Sequence, residues 1–150
     1  MRRITHLIVH HSATPDDDKL SVQAIRRFHT SPPPEGRGWK NIAYHFLIDR
    51  LNDSYEIVVG RFPEDAGSHA TGWNTISIGI CCVGNFDKQP MPKEQYDVLI
   101  GLLSSLMQTH GIKAENILGH RETYVAMGVP VQKSCPGNMV DMNEIRKSLS

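Results

Sequence analysis

Two short apolar runs constrain the fold of this chain more than any other feature. ITHLIVHH (4–11) and ISIGICCVG (76–84) are continuous rather than alternating in polarity. Runs of that length and kind read as buried strands, and strands buried on both sides belong to a sheet with helices packed on its faces. The first run ends on an anomaly, the adjacent pair His10 and His11. Neighbours in a strand point to opposite faces, so only one of these imidazoles can serve a given site.

The remaining pattern fills in the layers. SVQAIRRFHT (21–30) follows the acidic loop PDDDK, opens on a capping-type Ser21, and repeats Val22, Ile25, Phe28 and His29 at helical spacing. NIAYHFLID (41–49) and YEIVVGR (55–61) read as strands joined through RLNDS as a hairpin. The clearest helix is MPKEQYDVLIGLLSSLMQTHG, with Pro92 in the first turn and Gly111 as its stop. Its apolar stripe is Tyr96, Leu99, Leu102, Leu103, Leu106 and Met107. NILGH (116–120) reads as a short strand, followed by a long loop to KSCPG and a terminal helix in DMNEIRKSL. The expected architecture is α/β, a mixed central sheet flanked by helices, in one domain spanning 1–150.

Composition excludes several classes. Sixteen basic and sixteen acidic residues cancel, which argues against electrostatic capture of nucleic acid or an anionic membrane. No apolar run approaches the roughly 18 residues of a membrane span. The basic start MRRITHLIVHH breaks at His10, well short of a secretory h-region of about 7–15 residues, so the reading is cytoplasmic as synthesised. Three cysteines do not make a disulfide framework. Cys81 and Cys82 sit in the second apolar run and read as small core residues, whereas Cys135 lies in the polar, turn-like KSCPG.

Three places join metal-type ligands to strand ends or turns: His10/His11, His120 in LGHRE, and Cys135. Two imidazoles and a thiolate suit zinc, and three protein ligands leave a fourth position for water. On spacing alone the same residues can be read as unrelated polar groups, since no H-E-x-x-H or C-x-x-C pair is present.

Taken in order, VHHSAT, NIAYHFLI, GSHATGWNTISIGICCVGN, LGHRE and KSCPG resemble the type 2 N-acetylmuramoyl-L-alanine amidases, which include phage lysozyme-type amidases and are similar to catalytic peptidoglycan recognition proteins. The resemblance runs from about Ile4 to Pro136. It implies the zinc amidase fold, Zn2+ as cofactor, and His10, His120 and Cys135 as ligands. It selects His10 over His11, leaving His11 to packing or support. It makes Tyr44 an active-site residue that orients the zinc water or stabilises the oxyanion, and Lys133 a cation beside the developing charge. It places His69 on the substrate cleft, with Trp73 and Asn74 in a loop beside it and His45 as a weaker neighbour. Glu122 is a candidate support for a ligand imidazole. The stretch between His120 and Cys135 is longer than in the shortest phage versions and reads as a loop over one side of the cleft. Phe28 stands where relatives often carry Trp.

The implied activity is hydrolysis of the amide between the lactyl group of N-acetylmuramic acid and L-alanine, in peptidoglycan or soluble muropeptides, by a monomer. Rival readings are a peptidoglycan-binding module without activity and a hydrolase using Cys135 as nucleophile. Action on the wall without a signal fits a phage or prophage endolysin released through a separate lesion. A cytoplasmic amidase recycling wall fragments is the alternative.

Overall fold

The computed structural model describes residues 2–15 and 21–150, so the acidic loop expected after Pro15 lies outside the described residues. The first apolar run forms β1 (His6–His11) and the second forms β4 (Ser77–Cys82). They pair in parallel, with Val9 opposite Ile80 and His10 opposite Cys81. On the other side of β4 lies β2 (Phe46–Leu51), also parallel, and β3 (Ser54–Val59) returns antiparallel to it as a hairpin. Asn52 takes φ 58° in that turn, a left-handed conformation that Asn tolerates better than most residues. A short β5 (Ile117–Gly119) pairs with β1 and completes the order β3-β2-β4-β1-β5. The architecture is thus a mixed five-stranded sheet with helices on both faces.

Alternation along the strands sorts side chains between two cores. Leu7, Val9, Ile48, Ile78, Ile80 and Cys82 pack with Leu99, Leu102, Leu103 and Leu106 of α2 (Lys93–His110) and with Ile145 of α4 (Met142–Ser148). Leu47 and Cys81 point the other way, onto Val22 and Ile25 of α1 (Ser21–Thr30). Each such aliphatic side chain contributes about 1.5–3 kcal/mol on burial. Tyr96 and Met107 flank the α2 stripe half-buried. The helix also buries a residue that no apolar pattern marks: Gln95, fully enclosed, donates through Nε2 to the carbonyls of Ile48 and Val83, 3.0 Å each. Gly111 ends α2 in the left-handed conformation, φ 66°.

Three local expectations are corrected. The strand expected over 41–49 begins at Phe46, so Tyr44 and His45 precede it. Their carbonyls accept from Arg61 and Gly60, but a Cβ at Gly60 would stand 2.3 Å from the Tyr44 oxygen, a closeness that regular pairing does not produce. Phe28, expected in the buried stripe of α1, is 50% exposed. The long loop expected after NILGH begins as a helix, α3 (His120–Met127). Its outward Val125 and Met127 break any apolar stripe, which is why periodicity misses it.

Candidate active site

The face of the sheet that α1 covers only in part opens, at the carboxyl ends of β1 and β5, into a cleft of about 770 Å³. Strand β1 delivers His10, the β5–α3 junction delivers His120, and the turn after residue 133 delivers Cys135. All three are buried, and their ligand atoms lie within 4.8 Å of one another. The Nδ1 of His10 stands 3.6 Å from Cys135 Sγ. Nitrogen and sulfur donors at the usual distances from a tetrahedral zinc stand about 3.6 Å apart, so the pair is spaced for that ion.

Electrostatics point the same way. Burial holds the His10 imidazole well below its ordinary pKa, helped by His69, His120 and Lys133. Burial and Lys133 bring His120 to about 4, and burial pushes the Cys135 thiol up to about 12. The cluster is therefore two neutral imidazoles and a thiol that needs a cation to become thiolate. Such a donor set fits a divalent metal, whose binding releases the thiol proton.

The turn carrying Cys135 is held from two sides. The Arg121 amide donates to the Cys135 carbonyl at 2.8 Å, and its guanidinium donates to the carbonyls of Ser134, Gly137 and Val140. From the other side Asp87 accepts from Ser134 Oγ and the Asn138 amide, 2.8 Å each. The His11 ring points away from the cluster, where Nδ1 accepts from the Phe86 amide at 3.1 Å, while its own amide donates to Cys135 Sγ at 3.4 Å. Among the described residues, Glu122 makes no hydrogen bond to an imidazole. It accepts from the Gly119 amide at 2.9 Å and pairs with Arg146, which seats the helix end that carries His120.

Tyr44 and Lys133 both line the cleft. The Tyr44 ring lies 5.1 Å from that of His10, centre to centre. Burial, reinforced by Cys81 and Cys135, raises its phenol well above the ordinary value, so it stays a proton donor. Lys133 is exposed at the rim.

The other expected cleft residues divide. His69 lines the cleft, yet Nδ1 sits 2.9 Å from His10 Nε2 and its Nε2 lies 3.3 Å from Ser77 Oγ. His45, Trp73 and Asn74 are not on the cleft wall. His45 is fully buried between the Gly79 amide and the Asp65 carbonyl, and burial holds its pKa near 4. Trp73 packs edge-on against His6 at 4.9 Å, and Asn74 Oδ1 accepts the amides of His69 and Ala70. One residue without a site role in the sequence reading belongs to the wall: His29, whose Nδ1 accepts the Ala43 amide at 3.0 Å and whose ring lies 5.7 Å from Tyr44. Its place in the α1 stripe beside Ile25 was the available signal.

Fold and site together define a class, a mixed-sheet α/β protein with a buried His/His/Cys cluster beneath an open cleft. The chain belongs to the N-acetylmuramoyl-L-alanine amidase family, whose sequence description matches residues 1–138. It is 32% identical over 149 residues to peptidoglycan-recognition protein SC2 of Drosophila melanogaster, covering 95% of this chain and 73% of that one. To the endolysin of Enterobacteria phage K11 it is 32% identical over 111 residues, 71% of this chain and 68% of the endolysin. Among solved structures, the N-acetylmuramoyl-L-alanine amidase LysC from Clostridium intestinale URNW superposes with TM-score 0.76 at 31% identity, covering 99% of this chain and 86% of that one.

Proposed function

We propose that this chain is a zinc-dependent N-acetylmuramoyl-L-alanine amidase, with His10, His120 and Cys135 as its metal ligands, acting on bacterial peptidoglycan as an endolysin does. The observation that carries the reading is the convergence of those three buried donors at the floor of an open cleft. Zinc held there would supply Lewis acidity and a water whose pKa falls from 15.7 to about 7.

The chain's own residues do the rest. The cleft binds the glycan-linked peptide so that the lactyl carbonyl faces the three ligands. Tyr44, held protonated by burial and hydrogen-bonded with the Cys81 side chain, would turn its O–H from that partner to the oxygen on which negative charge develops. Lys133 brings an ammonium to the same side from the rim, where its flexible stem can follow the substrate. Donors of this kind are worth roughly 2.7–4 kcal/mol each in the transition state. Cys135 serves as a ligand and not as the nucleophile, because burial holds its thiol near 12 and the His10 nitrogen beside it belongs to the donor set.

Mass spectrometry of products from intact sacculi and from soluble muropeptides tests the activity and the preferred substrate size together. The expected result is new L-alanyl amino termini, lost on chelation and restored by zinc. Stoichiometric zinc with no such termini would overturn it. The similarity to a recognition protein motivates a second reading, a binder without catalysis. Cys135→Ser separates the two: an amidase loses zinc and turnover, whereas a binder keeps its affinity for the wall.

A further inference from the structure

To hold a cation together with Cys135 and His120, His10 must present Nδ1 bare and carry its proton on Nε2. That Nε2 lies 2.9 Å from Nδ1 of His69. Either imidazole could donate in such a pair, so the contact alone does not fix the proton. The far end of the chain of contacts does. The Trp73 carbonyl can only accept, and Ser77 Oγ stands 2.7 Å from it. With its proton committed there, Ser77 Oγ is left to accept from His69 Nε2, at 3.3 Å. A His69 protonated on Nε2 has Nδ1 bare, and that nitrogen accepts from His10.

We infer that His69 is a positioning residue for the metal site, part of a one-way relay from His10 through His69 and Ser77 to the Trp73 carbonyl that sets the His10 tautomer and aims its Nδ1 at Cys135. Neither ring nitrogen of His69 is then left for substrate. The surroundings are built for that ring. A Cβ at Gly79 would stand 2.6 Å from His69 Cγ, and one at Gly67 2.6 Å from Cδ2. Asn74 Oδ1 accepts the His69 amide at 2.8 Å and fixes the turn from which the ring projects. His45 lies edge-on to His69 with ring centres 5.7 Å apart, itself tied to the Gly79 amide. Trp73 and Asn74, off the cleft wall, thus serve the site through His69.

The tautomer is read directly, without any mutation or metal, from two-bond proton–nitrogen NMR correlations of the zinc-free protein with 15N-labelled histidines at pH 7.5. His10 and His69 should both show Nε2–H; an Nδ1–H signature on His10 would overturn the relay. His69→Phe keeps a ring in the glycine cradle but removes the acceptor. It should erase the His10 bias and weaken zinc binding about 10- to 100-fold in chelator competition, in a zinc-free protein that still unfolds cooperatively at a Tm lowered by the loss of the two buried hydrogen bonds. His69→Gln, whose amide oxygen can accept, should recover part of the zinc affinity. A folded His69→Phe with the wild-type tautomer and zinc affinity would also overturn it. The affinity arm rests on the zinc reading above, but the tautomer arm does not, so loss of the amidase reading would show separately as inactive protein with the relay intact.

Discussion

Replacing Gly79 by alanine tests whether the metal site is held by packing as well as by hydrogen bonds. The new methyl would arrive 2.6 Å from His69 Cγ and 2.7 Å from both Cδ2 and Nδ1. Carbon atoms in contact prefer about 3.5–4.0 Å, so ring and strand must part by roughly 1 Å. The strand cannot give much. Gly79 lies in fully buried β4 opposite Ile8, its amide donates to His45 Nδ1, and its carbonyl accepts the His45 amide. The ring therefore moves, and a shift of that size breaks a 2.9 Å contact with His10. Overpacking of this kind costs about 1–3 kcal/mol. For a chain of this length each kcal/mol corresponds to about 2–4 °C, so Tm of the zinc-free protein should fall by about 2–12 °C in calorimetry. Zinc affinity should fall with it. Gly101→Ala in α2 is the control, since nothing stands within 4 Å of its added Cβ, and it should gain about 0.5–1 kcal/mol from helix propensity. If Gly79→Ala melts like the parent and binds zinc as tightly, the cradle does not position His69.

Other outcomes follow from the same geometry. Tyr44→Phe should lower kcat about 100- to 1,000-fold while zinc content stays at one per chain, because only an oxyanion donor is removed; loss of zinc instead would make the residue structural. In the zinc-free protein His29, His45 and His120 sit near pKa 4, below the unfolded value of about 6.5. Between those limits the unfolded chain binds more protons, so stability holds above about pH 6.5 and falls as pH drops toward 4, by up to about 1.4 kcal/mol per unit for each histidine. Urea unfolding at pH 7.5 and 5.0 checks this, and equal midpoints would contradict it. Gln95→Leu should destabilise by about 1–3 kcal/mol in urea titration, because the Val83 carbonyl loses its side-chain donor while that of Ile48 keeps the Val83 amide; an unchanged midpoint would contradict it.

Much of the fold was legible because burial writes itself into short apolar runs. ITHLIVHH and ISIGICCVG read as buried strands and form β1 and β4, and the α2 stripe with its Gly111 stop marked the clearest helix. What periodicity could not find was α3, eight residues long with Val125 and Met127 turned to solvent, and the early end of the strand at Phe46. Of the candidate site, His10, His120, Cys135, Tyr44 and Lys133, named by the family resemblance, line one cleft. His29 escaped because its place in the α1 stripe marks burial but not what its ring will face.

The sequence by itself determined the sheet-and-helix layering and most of its elements, since each depends on residue type and near neighbours, and its resemblance to a family named the residues able to ligate a metal. Only the tertiary structure decided what those residues touch. Whether His69 meets substrate or the back of His10 depends on Gly79, Gly67 and Ser77, which no local pattern links to it. Whether His10 offers Nδ1 to Cys135, 125 residues away, depends on where the turn beyond α3 brings that thiol. Hydrogen bonds and close contacts act over about 3 Å in space and carry no trace of separation along the chain.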